Sequence, residues 1–227
     1  MSMSRENILN RLKNSPQKKR RQNRTKLEHG LFLDQAGKSP EDNGETLLIE
    51  KLTENKIEVY QSSDWLMDMI AAGREKQIQS WLIGQGLPYH EQVSCSLEKH
   101  IPNVKITRYT QTYENLKTQL FHQVGASITL AKSAIADTGT LLIIPDEHEP
   151  RMMSLIPPIH FIVLDKKDIY PDFQTLINTP GWYSENNASS ELPSNILFIS
   201  SPSKTADIQQ TIAYGAHGPK EVIVLLK

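Results

Sequence analysis

Cysteine is the residue this chain most lacks. Its 227 residues contain one, Cys95, which cannot close an internal disulfide and cannot supply the thiolates of an iron–sulfur centre or a structural zinc site. No cofactor is therefore expected in this chain, and any cluster serving its chemistry belongs on a partner. Long apolar runs are missing too. No stretch approaches the roughly 18 apolar residues that span a bilayer, and the opening MSMSRENILN has no apolar centre of a secretory signal. These absences predict a cytoplasmic protein without a membrane span. No G-x-G-x-x-G dinucleotide fingerprint occurs. Gly37-Lys38-Ser39 is not the end of a phosphate-binding loop, because Phe32 stands where G-x-x-x-x-G-K-[ST] requires glycine.

What remains is an ordinary globular composition, 38% hydrophobic and 22% charged, and a chain this long buries roughly 70% of its unfolded surface without staples. The net charge of -1 conceals a division. Residues 1–30 hold nine Lys/Arg against Glu6 and Glu28, a balance of +7, leaving 16 basic and 24 acidic residues beyond position 30. The run Lys18 to Arg21 lies among Asn, Gln and Pro with no aromatic residue to stack on bases, so nucleic-acid binding is not expected. Residues 1–44 read as a basic helix, whose Ile8 and Leu12 dock on the acidic body of the chain or on a neighbouring subunit such as a second copy, followed by a mobile linker. Residues 45–227 read as one α/β domain.

Within that domain, strand and helix signals alternate, which predicts a mostly parallel sheet flanked by helices. Glu45 to Glu54 reads as helix and Lys56 to Tyr60 as strand. A helix carrying Leu66, Met69 and Ile70 is capped by Ser62 or Ser63, with Asp64 near its positive end. Ile78 to Ile83 and Val104 to Tyr109 read as strands, and Glu114 to His122 as helix. The segment ASITLAKSAIADTGTLLIIP reads as strand, tight turn and strand. His160 to Asp165 is a nearly continuous apolar strand, and Asp168 to Asn178 a helix with Pro171 near its first turn. Asn195 to Ser200 reads as strand, Lys204 to Tyr214 as helix, and Glu221 to Lys227 as a last strand inside the sheet.

Three places carry candidate chemistry. In ISSPSKTADI a strand enters a helix through small residues, so the helix N–H groups, Ser203, Lys204 and Thr205 suit an anion; equally, Ser203 is only an N-cap and Asp207 a first-turn acid. Around Asp137, Gly139 permits close backbone approach while Thr138 and Thr140 offer hydroxyls, and Arg151 can clamp a carboxylate across the loop from Ser154; the alternative is a plain hairpin. His160 and His217, the latter beside Gly218, can act as general bases if they line a pocket, although a lone histidine is more often structural. Asp146, Glu147, His148 and Glu149 read as a solvated loop rather than a metal site, so no metal is expected.

Three motifs in order then carry a resemblance. SITLAKSAIADTGTLLI, the spacing R-x-x-S followed by Pro157 and His160, and ISSPSKTADIQQTIAYGAHGPKEVIVLL are together similar to the LUD-domain family, in particular its lactate utilization protein C group. The likeness is dense from about Gly125 to Lys227. Ser201 departs from it where glycine is common, and Asp137 where glutamate is frequent. The resemblance implies a sheet like that of the NagB/RpiA/CoA-transferase-like fold, and a role in oxidising L-lactate to pyruvate beside two iron–sulfur subunits. It also raises Thr138, Gly139, Thr140, Arg151, Ser154, His160, Ser203, Lys204, Thr205, Asp207, His217 and Gly218 to candidate contacts for a small organic acid or phosphorylated ligand. A stand-alone isomerase or acyl/CoA-transferase-like enzyme is the other reading. Its glutamate nucleophile could come only from Glu147 or Glu149.

Overall fold

Six parallel strands form the backbone of the molecule, in a computed structural model that describes residues 40–61, 63–111, 113–183, 193–206, 212–214 and 217–227. The basic head, Gly37 to Ser39 and Asp207 lie outside the described residues. The sheet consists of β1 (Glu58–Gln61), β2 (Ser80–Ile83), β3 (Lys105–Arg108), β4 (Ala126–Leu130), β7 (Ile159–Leu164) and β12 (Glu221–Leu226), in the order β1-β12-β7-β4-β2-β3. The last strand thus lies between the first and the seventh, as the terminal apolar run predicts. Alternation along each strand divides the core into two layers. Phe161, Val163, Ile223 and Leu225 face α2 (Trp65–Glu75) and α3 (Pro88–His100), where Met69, Ile70, Val93 and Leu97 complete one cluster. Ile162, Leu164, Val222, Val224 and Leu226 face the other way, against α1 (Pro40–Glu54) through Leu48 and Leu52. On that second side Leu82 also packs on Leu116 and Leu120 of α4 (Tyr113–His122).

The second side carries a further sheet that alternation alone did not separate from the first. The apolar run after Gly125 splits at Ala131 and Lys132, whose N–H groups donate to Val163 in the main sheet and to Leu142 in the other, at 2.8 Å each. Beyond this handover, β5 (Ser133–Ile135), β6 (Thr140–Ile143), β8 (Ile169–Tyr170) and β9 (Leu197–Ile199) form a four-stranded sheet in the order β8-β5-β6-β9. Pairing of Ile169 with Ala134 explains why the helix expected from Asp168 starts later. Only Phe173–Asn178 is helical (α5), behind Asp172, whose carboxylate accepts from the Thr175 N–H at 2.7 Å. At α2 the cap is Asp64 rather than a serine, accepting from the Met67 N–H at 3.1 Å.

One expected element is of the other type. Lys204 to Tyr214 is not a helix where it is described: β10 (Lys204–Ala206) pairs antiparallel with β11 (Ile212–Tyr214), Lys204 opposite Tyr214. Thr205, Ile212 and Tyr214 favour strands, and a short stretch with apolar residues four apart fits either period. Helix α3, in turn, has no counterpart in the sequence reading. Its buried stripe alternates Val93 and Leu97 with His90 and Ser94, which breaks the apolar pattern that marks a helix.

Candidate functional site

The helix start expected at Lys204 is replaced by strand β10, and several of the candidate residues fall into two groups. Thr138 and Gly139 form the turn between β5 and β6, against the last residues of α1. The Asn55 side chain donates to the Thr138 carbonyl at 3.4 Å, and a Cβ on Gly139, whose φ is +61°, would lie 2.9 Å from the Lys51 backbone. Thr140 bonds through its hydroxyl to Thr138 and to Ser200, both at 2.8 Å. The structure thereby brings the D-T-G-T turn to the strand that precedes the S-P-S turn. Ser203 meets the H-G-P turn: its N–H donates to Pro219 at 2.8 Å, its hydroxyl accepts from the His217 N–H at 3.3 Å, and Gly218 leaves room for its Cβ. This second group lies where β7 and β12 begin, since Pro158 accepts from the N–H groups of Lys220 and Glu221. It occupies the amino edge of the sheet.

The remaining candidates are dispersed. Lys204 and His217 are exposed, and Thr205 lies in β10. Arg151, also exposed, donates to Asn195 at 3.3 Å. Ser154 is buried at the end of a 3-10 turn, Arg151–Ser154. His160 is fully buried in β7, with Nε2 2.8 Å from the Thr129 hydroxyl and Nδ1 without a partner. Burial pushes its imidazole down to about 3.

The carboxyl edge presents a different arrangement. A cavity of about 380 Å³ opens beyond the ends of β4, β7 and β12, with Leu130, Lys132, Asp146, Glu149, Asp165 and Lys227 in its wall. Ligands of α/β sheets characteristically bind beyond these strand ends. Glu149, expected in a solvated loop, is instead only 6% exposed. Asp146 explains the change, because its Oδ1 accepts from the His148 and Glu149 N–H groups at 2.8 Å each and turns the loop inward.

Glu149 is held from two sides. Its Oε2 accepts from the Leu130 N–H at 3.0 Å and its Oε1 lies 3.0 Å from His90 Nε2. His90 Nδ1 accepts from the Leu87 N–H at 3.2 Å, so the ring proton sits on Nε2 and is donated to Glu149. Burial, with the nearby His148 and Arg108, pushes His90 down to about 4. Burial also pushes Glu149 up to about 8, against the lowering effect of the Leu130 N–H. Burial favours the neutral form of both members of the pair, while the two N–H donors on the Glu149 oxygens favour its charged form. Gly84, just after β2, makes the approach possible, since a Cβ there would lie 2.7 Å from His90 Nε2. Lys167 forms an ion pair with Asp165 at 3.0 Å, whereas Lys132 has no ion pair among the described residues.

An α/β protein with a charged cavity beyond the carboxyl ends of its parallel strands is the class these features define. More specifically, the chain belongs to the LUD-domain family, whose model (LUD domain) matches residues 46–226. An uncharacterized protein of Neisseria meningitidis serogroup B is 32% identical over 172 residues, covering 75% of this chain and 71% of its own length. Lactate utilization protein C of Halalkalibacterium halodurans is 31% identical over 97 residues, covering 43% of this chain and 41% of its own. The namesake from Bacillus subtilis is 28% identical over 113 residues, covering 50% and 45%. The chain therefore spans less than half the length of these two lactate utilization proteins. The crystal structure of a DUF162 family protein from Deinococcus radiodurans at 1.70 Å resolution shares the fold, with a TM-score of 0.56 at 14% identity over 83% of this chain and 99% of that one.

Proposed function

We propose that this chain serves lactate utilization as a cluster-free cytoplasmic subunit. It binds a small carboxylate such as L-lactate at the carboxyl-edge cavity and works with iron–sulfur subunits that carry the electrons away as pyruvate forms. The observation that carries this reading is the cavity at the carboxyl edge, whose wall holds Lys132, which makes no ion pair among the described residues, together with the buried Glu149. An ammonium suits the ligand's carboxylate, and a carboxyl suits a hydroxyl or carboxylate oxygen. An iron–sulfur cluster does not fit within this chain, whose one cysteine is exposed on α3. The names of the lactate utilization relatives supply the metabolic context. No helix among the described residues is long and apolar enough to cross a membrane.

Affinity purification of the tagged chain from its native host tests this assignment. Coloured, cysteine-rich partner proteins are expected to co-purify, and the assembly is expected to reduce a dye in the presence of L-lactate. Removing this chain should abolish that reduction, and the isolated chain should show none. Lactate-dependent dye reduction by the isolated chain, or by the partners without it, would contradict the proposal.

A further inference from the structure

Sheets that end in an open strand usually guard it, because charged side chains keep a foreign strand from adding to the edge. Of the edges of the two larger sheets, β1 carries Glu58 and β3 carries Lys105 and Arg108. β8 lies between Asp168 and Asp172 and against α1, where a Cβ on Gly44 would lie 3.8 Å from the Ile169 side chain. β9 has no such guard. From Ser194 to Ser203 the sequence SNILFISSPS contains no charged residue, and Pro193 and Pro202 stand beyond the ends of the strand. β9 pairs with β6 alone, so its other side is open among the described residues.

The neighbouring ladder decides which main-chain groups face that opening. The Lys132 N–H donates to the Leu142 carbonyl at 2.8 Å, so the main chain of Leu142 is turned towards β5. Successive residues of a strand turn their N–H and C=O to opposite sides, and Leu141 and Ile143 therefore bond β9 through Ile199 and Leu197. Phe198, opposite Leu142, is left with both groups directed away from the sheet, and neither has a partner among the described residues. Its side chain lies on the outer face of the sheet. There Ile135, Leu142 and Leu176 form a buried cluster, while Phe198 and Phe173 at the rim remain 46% and 47% exposed. Their rings meet edge to face at 5.8 Å, which makes a supported apolar ledge beside the open edge.

We propose that β9 is an interface between two copies of this chain, paired antiparallel about a two-fold axis that passes through Phe198 perpendicular to the sheet. In an antiparallel hydrogen-bonded pair each residue gives its N–H to the other's C=O. The middle residue of β9 has both groups free, so the strand is complementary to itself. Phe198 exchanges two hydrogen bonds with its equivalent, Leu197 comes opposite Ile199, and two four-stranded sheets join into one of eight strands. Both Phe198 rings then fall on one face, directly opposite each other, where they bury surface that each copy alone leaves in water. The free groups on the central residue, with no charge on either side to oppose an identical strand, favour a second copy over an unrelated partner. This interface is independent of the ligand assigned to the cavity.

Sedimentation velocity of the full chain over a dilution series tests the pairing. The wild-type protein is expected as a species of twice 25.8 kDa that dissociates on dilution. Phe198→Lys sets two ammonium groups against each other across the axis, and Phe198→Glu two carboxylates, so each variant alone is expected to sediment as a monomer. Because the side chain is half exposed, both variants should melt like the dissociated wild-type protein. An equimolar mixture of the two is expected to restore the dimer, since residue 198 then meets its counterpart with opposite charge. Hydrogen exchange of the wild-type protein gives a reading that needs no variant: the Phe198 amide should be protected in concentrated protein and exchange faster as it is diluted. A wild-type monomer at every concentration, or a Phe198 amide that exchanges alike in concentrated and dilute protein, would overturn the inference. A dimer that survives Phe198→Lys would place the contact elsewhere, and a mixture that stays monomeric would exclude the two-fold register; either result overturns it as well.

Discussion

Trp81→Ala is expected to cost about 3–5 kcal/mol. Trp81 is fully buried in β2, its ring 4.9 Å from Phe161 of β7 and across the strand β4 that both flank. The neighbouring helix is built around it: a Cβ on Gly73 of α2 would come within 2.8 Å of the indole. Truncation leaves a cavity that the rigid sheet and a glycine-faced helix cannot close. The indole Nε1 has no hydrogen-bond partner in this core, so Trp81→Phe loses packing but removes an unpaired donor and should cost clearly less. Urea titrations at fixed pH check both, a lowered midpoint with unchanged slope being the expected form. Equal losses for the two variants would mean that the ring is not packed as described.

Acidification is expected to destabilise the protein steeply below about pH 6.5, because two imidazoles are buried uncharged. His90 is held down to about 4 and His160 to about 3, by burial first in each case. Both values lie below that of an unfolded chain, so the unfolded state binds more protons in this window. Stability is then fully present above pH 6.5 and is lost as pH falls towards the folded values, by up to about 1.4 kcal/mol per pH unit for each histidine. Glu149 acts in the opposite sense. Its value is raised to about 8, so its contribution is complete in acid and is lost as pH rises from its unfolded range through about 8. Two histidines outweigh one carboxyl below pH 6.5 and the carboxyl acts alone above it, so a maximum in stability near pH 6.5 follows. Thermal melts across pH should show that maximum. His160→Asn should flatten the acid limb, while Glu149→Gln should flatten the alkaline limb and steepen the acid one, where Glu149 opposes the histidines. An acid limb unchanged by His160→Asn would show that this ring is protonated in the fold.

How much of this was legible in the sequence depends on whether the signal is local. The strands of the main sheet were, because Phe161 to Leu164 and Val222 to Leu226 are continuous apolar runs that only a doubly covered strand explains. The parallel α/β class followed from their alternation with helical segments, and the motifs shared with the LUD family placed the last hundred residues. The hairpin of β10 and β11 was misread because pairing partners, not intrinsic periodicity, decide so short a segment. The second sheet was hidden for the same reason, as its boundary at Ala131 and Lys132 is a change of hydrogen-bond partner inside one apolar run. The charged cavity was least visible. His90 and Glu149 are 59 positions apart, and Glu149 stands in a polar string that resembles any exposed loop. Two signals were available in retrospect: glycines at Gly84 and Gly86 ahead of a proline-started helix, and an aspartate placed to turn Glu149 inward.

The central claim is that the ligand occupies the carboxyl edge of the sheet and not the motif turns on the opposite side. Nuclear magnetic resonance mapping of backbone amides during a titration with L-lactate separates the two positions in one experiment. The largest shifts are expected at Leu130, Ala131, Lys132 and Glu149, with Thr138 to Thr140 and the Ser203, His217 and Gly218 turn unmoved. Shifts gathered on those turns, with Leu130 to Lys132 unmoved, would contradict the account.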